Sequence, residues 1–342
     1  MALWKSALTL DLLRPLLADS YGLHLNSMKP LELGSANCFQ LACEEGVFFA
    51  KEYQLEYGAD AVEAEAKLVN FLKGEHFPVA GFLLTKDGSA YITIGGHVVS
   101  VQEFIDGQSF LNDMPKRYLA DCAHYLGKLH VLLRDYPMEA SLDDEWLASV
   151  SLQASTAKLD ALLSALEGQM DDPHHQTIRD DLLFKKELAV KTEAMKSYYD
   201  GITYTPSHGD YTACQLICDD THVKAVIDFT AARKLPAVWE IMRSYVQSFS
   251  VCQNGAPFNI DEFCTYVSEY LKVAPLTRRD LESMPYVYLV QLSQSSYGYK
   301  EYLVLHTANA DALLRFATWR TGVCREIYKK AADISAALQK LV

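Results

Sequence analysis

The hydrophobic period of this chain changes after Gly107, and that change limits the folds open to it. Upstream, over roughly residues 25–105, short runs alternate apolar and polar residues as strands do. Asn37–Ala42 and Val47–Tyr53 are two such runs, joined by the tight turn "CEEG". One helical pattern interrupts them at Ala59–Leu72, with Leu68, Val69 and Leu72 on its apolar face. Further strands follow in "FPVAGFLLTKDGSAYITIGGHVVSVQEFIDG", where "KDG" and "IGG" are expected as hairpin turns. Downstream the period is helical: 115–135, 143–170, 173–198, 237–250, 259–272, 278–305 and 308–339. A single interruption stands in this part. Gly201 and Pro206 break the helical run, and two apolar runs, "CQLIC" and "VKAVIDF", flank the polar turn "DDTH". The expected class is α+β: a small antiparallel-sheet lobe with a leading helix, 1–104, and a large helical lobe, 105–342.

Half of the 342 residues are hydrophobic, enough for an extensive core. The formal net charge of −13 argues against nucleic acid or an anionic membrane as the main partner, while leaving room for a locally positive site. The eight cysteines are scattered and form no second pair at metal-ligand spacing, so they are expected as thiols in a reducing compartment. The leucine-rich start is interrupted by Asp11, Arg14 and Asp19, and predicts an amphipathic first helix rather than a signal peptide. No run of 18 apolar residues is present, so a cytoplasmic protein is the default expectation. The oligomeric state is left open.

The chemistry concentrates between 207 and 229. Asp210 sits in the loop "SHGDY" after the break, and Asp228 ends the apolar run Val223–Ile227. If the two apolar runs pair, Asp210, Gln215 and Asp228 face one cleft. One carboxylate can then orient or deprotonate a hydroxyl nucleophile, a second can hold Mg²⁺, and the amide oxygen of Gln215 can complete the metal shell. The alternative is structural: aspartates are common in turns and at helix caps. His208 is expected to pack or hydrogen-bond rather than act as a base.

"HGDYTACQLI" followed by "AVIDF" resembles the aminoglycoside and choline phosphotransferase superfamily, whose members have a protein-kinase-like fold, with the homoserine-kinase-like or spore-coat-associated branch the most similar. The resemblance spans about residues 20–305. It implies Asp210 as catalytic base and Asp228 as the main Mg²⁺ ligand, with Gln215 standing where Asn is usual. A kinase-like chain also needs a strand lysine for the α- and β-phosphates of ATP and an acidic partner on the next helix. "GVFFAKEY" supplies Lys51. Of Glu63 and Glu65, the pattern ahead of Leu68 and Val69 selects Glu65 and leaves Glu63 solvated. Gly34, Ser35 and Asn37 take the place of the phosphate-covering loop. Gln102 to Phe104 take the place of the hinge that meets adenine through its main chain, with Leu33 and Phe104 beside the base. His130 is expected behind the catalytic loop. Glu240 and Arg243 share a helical face as a solvated pair, a structural pair or an acceptor ligand. Tyr297, Tyr299 and Tyr302 either wall a pocket or pack.

The function so implied is ATP- and Mg²⁺-dependent phosphoryl transfer to a hydroxyl of a small molecule: an amino alcohol, sugar, aminoglycoside or hydroxy amino acid. The alternative is a non-catalytic nucleotide-binding or structural kinase-like protein, motivated by Gln215 and the thin glycine loop. The H-R-D-L, D-F-G and A-P-E set of protein kinases is missing from the sequence.

Overall fold

The computed structural model describes residues 6–31, 36–55, 57–138 and 151–342. They form two compact units, one of Met1–Ser109 with Gln215–Ala232, the other of Phe110–Cys214 with Arg233–Val342.

The first unit is built on a five-stranded antiparallel sheet. Its strands are β1 (Leu25–Leu31), β2 (Asn37–Cys43), β3 (Gly46–Glu52), β4 (Tyr91–Ile94) and β5 (His97–Glu103), in the order β1-β2-β3-β5-β4. Gly95 and Gly96 both have positive φ, which suits the two-residue turn pairing Ile94 with His97. The "KDG" segment differs from expectation. It closes a small loop in which Thr85 and Ser89 bond to each other, with no strand on its upstream side. Pro78 and Gly81 weaken the ladder there, and only Val79 and Phe82 make isolated bridges. Helix α1 (Leu10–Tyr21) lays Leu13 and Leu17 on Leu25, Phe39, Leu41, Val99 and Val101, making the core of one sheet face. Helix α2 (Ala59–Gly74) buries Val62, Glu65, Ala66, Leu68, Val69 and Leu72. Glu63 is half-buried and accepts the Ala90 N–H at 2.8 Å, so it braces a turn instead of standing in solvent.

The hairpin of β7 (Leu216–Cys218) and β8 (Val223–Val226) belongs to this unit. Cys218 exchanges backbone bonds with Gln108 at 2.8 and 2.9 Å, and Val226 N–H bonds to Pro78 at 2.8 Å.

The second unit contains α3 (Leu119–Leu133), α4 (Leu152–Glu167), α5 (His175–Glu193), α6 (Ala237–Ser248), α7 (Ile260–Leu271), α8 (Arg278–Gln294) and α9 (Ala310–Leu338). The helix expected over 143–170 begins in residues outside those described and is seen from Leu152. Strands β6 (Tyr204–Ser207) and β9 (Arg233–Pro236) pair antiparallel. Asp280 anchors β6: it closes a capping box with Thr277 and also accepts the N–H and hydroxyl of Thr203 at 2.6 and 2.8 Å. The helix expected over 278–305 ends at Gln294, and the chain turns at Gly298, whose φ is +94°. A Cβ there would lie 2.3 Å from the Leu313 carbonyl, so only glycine fits. Among the described residues, no helix is long and apolar enough to cross a membrane.

Candidate active site

In the first unit β3 delivers Lys51 into the interior, where it is 9 % exposed. Its ammonium donates to Asp228 Oδ1 at 2.7 Å. Asp228 follows β8 and takes a left-handed backbone conformation, φ 63°, uncommon for a residue other than glycine. Thr230 Oγ1 bonds to the same carboxylate oxygen at 2.8 Å. The Lys51 and Thr230 contacts hold the carboxylate of a residue in this conformation in one orientation.

Glu65 is buried below these two groups. Tyr53, two residues beyond Lys51, donates to Glu65 Oε2 at 3.0 Å. The chain of contacts continues through Ser100 Oγ, 3.4 Å from the Tyr53 hydroxyl, to the Gln102 amide, 3.4 Å from Ser100. Burial pushes the Lys51 ammonium toward neutrality, but the carboxylates of Glu65 and Asp228 more than offset this, and its pKa stands above the ordinary lysine value. Burial likewise raises the Glu65 carboxyl, with Lys51 opposing. The direct ion pair of Lys51 is therefore with Asp228, while Glu65 acts on it as a nearby charge.

Gln215 precedes β7, and its carbonyl accepts the Ile227 N–H at 2.9 Å. The hairpin register thus brings Gln215 beside the residue preceding Asp228. A carboxylate and an amide oxygen at one end of a hairpin are hard donors suited to a small divalent cation. Among the described residues no three His, Cys, Asp or Glu side chains gather as a metal cage. The donor set fits a cation that takes its remaining ligands from phosphate oxygens or water.

The other expected nucleotide residues are placed as follows. Gly34 and Ser35, with Leu33, lie outside the described residues. Asn37 opens β2 and donates its amide to Glu52 Oε2 at 3.0 Å. Gln102 is buried in β5 between Phe49 and the Phe82 bridge, and Phe104 follows it, half-buried. The Glu103 N–H is already used by the Gly81 carbonyl at 2.9 Å.

In the second unit β6 leads directly into His208, Gly209 and Asp210. The turn is organised from beneath by Glu240 of α6, which is 1 % exposed. Its Oε1 accepts the Gly209 N–H at 2.5 Å, and its Oε2 accepts the His208 N–H at 3.2 Å. His130 of α3 lies 2.9 Å from the same Oε2 through Nε2, and its Nδ1 is 2.8 Å from the Tyr270 hydroxyl. Burial works against the Glu240 charge, yet the His130 contact and the loop N–H groups hold its carboxyl below the usual range. The His208 ring, edge-on to Tyr211, accepts the Asp210 N–H through Nδ1 at 3.2 Å.

Asp210 itself pairs through Oδ1 with Arg243 Nη2. Their side chains are 36 % and 18 % exposed, so the carboxylate is held in place and still reachable. Glu240 and Arg243 are not a pair with each other: Glu240 holds the backbone of the turn and Arg243 holds its aspartate. Residues three apart share a helical face, but tertiary partners decided which way each side chain went. Tyr297, Tyr299 and Tyr302 do not form one wall either. Tyr299 is buried on Asp181 and Thr321, Tyr302 bonds to Asp172 at 2.7 Å, and Tyr297 is exposed.

Two contacts of the site were not read from the sequence: that of Arg243 with Asp210 and that of Tyr53 with Glu65. The signal available for Tyr53 was the strand period, which puts it on the same side as Lys51. For Arg243 there was none, because the contact spans 33 residues.

The model of the phosphotransferase enzyme family APH matches residues 27–276. No curated protein matches the sequence. Solved structures resemble it throughout. An aminoglycoside phosphotransferase from Alicyclobacillus acidocaldarius is 16 % identical with a TM-score of 0.67, covering 92 % of each chain. A microcompartment-associated aminopropanol kinase is 13 % identical with a TM-score of 0.66, covering 96 % of this chain and 99 % of that one. An amicoumacin kinase in complex with AMP-PNP and Ca²⁺ is 14 % identical with a TM-score of 0.63, covering 93 % and 94 %. At such identities these neighbours establish the kinase-like fold, and the family model, matching well over half of the chain, establishes the kinship: this protein belongs to the phosphotransferase enzyme family.

Proposed function

We propose that this protein transfers the γ-phosphoryl group of ATP to a hydroxyl of a small molecule. The observation that carries this is the buried Lys51–Asp228 ion pair, with Glu65 behind it and Asp228 in a strained conformation. A lysine kept charged in the interior is a ready phosphate ligand. Lys51 would hold the α- and β-phosphates, and Tyr53, Glu65, Ser100 and Gln102 keep its strand and charge in place. Asp228 and Gln215 would hold Mg²⁺, which supplies charge neutralisation at the phosphates when bound.

Asp210 is the base. The acceptor oxygen attacks the γ-phosphorus, the bond from phosphorus to the β,γ-bridging oxygen breaks, ADP departs, and the hydroxyl proton passes to Asp210. Arg243 fixes the Asp210 carboxylate, while Glu240 fixes the turn that carries it. The chain's contribution is mostly positioning and charge placement. The AMP-PNP complex of the amicoumacin kinase supports ATP as donor, and the aminopropanol kinase supports a small hydroxyl-bearing acceptor. The scattered thiols suit a cytoplasmic enzyme.

Calorimetric titration of the purified protein with ATP tests the nucleotide half. Binding should strengthen when Mg²⁺ is added, and Asp228→Asn should lose that strengthening while keeping metal-free binding. Lys51→Met should weaken binding in both conditions. Equal MgATP affinity in all three proteins would refute the assignment.

A further inference from the structure

Around Arg243, which fixes Asp210, stand buried donors with capacity the transfer does not use. Arg243 of α6 gives one nitrogen to Asp210, but its Nη1 is buried without a hydrogen-bond partner. Tyr288 of α8 is completely buried; its hydroxyl makes no hydrogen bond of standard geometry, and the Gln247 side chain is the neighbour that comes nearest to one. Arg320 of α9 is 8 % exposed, with its Nε buried and unsatisfied. Its contact is with the face of Phe316, 5.4 Å away, which attracts a cation without accepting its N–H groups in hydrogen bonds.

These three side chains stand together. Arg320 and Arg243 both act electrostatically on Tyr288, and each guanidinium feels the other. Lys185, also buried, is within range of Arg320 and spends its own ammonium on the Leu292 carbonyl at 2.7 Å. Tyr288, Arg243, Cys324 and Tyr299 act most strongly on Arg320, and among the described residues no carboxylate forms an ion pair with it. The nearby Asp181 is taken by Arg325 and Tyr299.

A buried guanidinium without an anion is unfavourable, and proteins normally pair it. Arg243 has Asp210 on one side, but its Nη1, the Arg320 Nε and the Tyr288 hydroxyl leave one partner missing: an anion brought by the ligand. The fork of a guanidinium matches the two oxygens of a carboxylate or a phosphate. A polycationic or amine-bearing acceptor would meet like charge here.

We infer that Arg320, Arg243 and Tyr288 form a subsite for an oxyanion group on the acceptor, so that the substrate class is a hydroxylated acid or phosphate ester rather than an amino alcohol or aminoglycoside. This rests on the assignment of Asp210 as the base. The binding itself does not require phosphoryl transfer, which lets the two be tested apart.

The test is thermal unfolding of the full chain without nucleotide, with glycerol, D-glycerate, glycerol 3-phosphate or ethanolamine at about 10 mM, followed by ATP consumption with the same four. Either or both anions should raise the Tm of the wild type, and the one that does so more identifies the oxyanion. Glycerol and ethanolamine should not. Arg320→Met should raise the Tm of the free protein, because it removes an unpaired buried charge, and should abolish the anion-dependent rise. Lys51→Met should retain the rise, which separates this subsite from the nucleotide phosphates. In turnover the anionic acceptors should be preferred, with KM raised at least tenfold in Arg320→Met. An anion-dependent rise lost in Arg320→Met, with no acceptor phosphorylated, would support the subsite and count against the kinase assignment. Preference for glycerol or ethanolamine would overturn the inference and leave the kinase assignment intact. So would an anion effect unchanged by Arg320→Met, or a lower Tm in that variant with no anion effect in the wild type.

Discussion

Replacing Glu240 by Gln separates the shape of this residue from its charge and its second acceptor. The glutamate receives three contacts on two oxygens: Gly209 N–H on Oε1, and His208 N–H and His130 on Oε2. A glutamine has one oxygen. If that oxygen keeps the Oε2 contacts, its NH₂ group faces the Gly209 N–H, and a buried donor loses its acceptor. That costs about 1–3 kcal/mol, and the loss of charge assistance in the other contacts adds about 1 kcal/mol. The expected total is about 2–4 kcal/mol for Glu240→Gln and about 3–5 kcal/mol for Glu240→Ala, which strands His130 and the turn together. In a unit of this size the Gln variant should lose about 5–10 °C in Tm. The turnover loss should be larger than the stability loss suggests, on the order of 100-fold in kcat below Tm, because the turn carries Asp210. The pH dependence has a definite sign. Glu240 is held below its unfolded pKa, so its stabilisation is complete above about pH 4.5 and is lost as pH falls through the folded value. The Gln variant should lack that component of acid destabilisation. Differential scanning calorimetry from about pH 2 to pH 8, paired with kinetics at 25 °C, measures both. A Glu240→Gln protein within 1 °C of wild type and fully active would refute the role given to this carboxylate.

Three further outcomes follow from the same contacts. Burial holds the Lys185 ammonium down to about 8, against 10.5 in the unfolded chain, so the unfolded state binds its proton more tightly between those values. Wild-type stability should therefore rise relative to Lys185→Met by up to about 3 kcal/mol between pH 8 and 10.5, read from urea midpoints of both proteins; a flat difference would contradict it. Gly298→Ala should cost at least about 2 kcal/mol, since the new methyl meets the Leu313 carbonyl at a left-handed φ; unchanged thermal stability would contradict the turn geometry. Tyr53→Phe should weaken MgATP binding only a few-fold, because it removes one hydrogen bond to Glu65 and leaves the Lys51–Asp228 pair, and a loss as large as that of Lys51→Met would contradict this ranking.

What was legible in the sequence was what is periodic or local. The change of period after Gly107 separates strands from helices correctly because a strand shows its face every second residue and a helix every third or fourth. The β2–β3 hairpin and the helix over 115–135 were readable for that reason. Glu65 was chosen over Glu63 by the resemblance, through the pattern ahead of Leu68 and Val69, and it lies on the buried stripe of α2 with Leu68, Val69 and Leu72. The hairpin that brings Gln215 and Asp228 together was readable from two apolar runs and one polar turn. The partners of Glu240 and Arg243 were not, because helical spacing says which residues share a face and nothing about what packs opposite them. The unpaired Arg320 was invisible for the same reason: in sequence it is one arginine in a long amphipathic helix, and only the packing of α6, α8 and α9 strips it of solvent and counter-ion. The break at Gly298 was hidden because the apolar pattern runs through it, and the steric need for glycine comes from Leu313.

The central claim is that Asp210 takes the acceptor proton in an ATP-dependent transfer. The most direct measurement is ATP consumption over a panel of hydroxy acids, sugars, amino alcohols and aminoglycosides, by wild type and by Asp210→Asn at equal folded concentration. The account predicts turnover of at least one acceptor by the wild type and a loss of about 10³-fold in kcat for Asp210→Asn, with MgATP affinity retained. Undiminished turnover in the Asn protein, or no turnover of any acceptor by a wild type that binds MgATP, would contradict it.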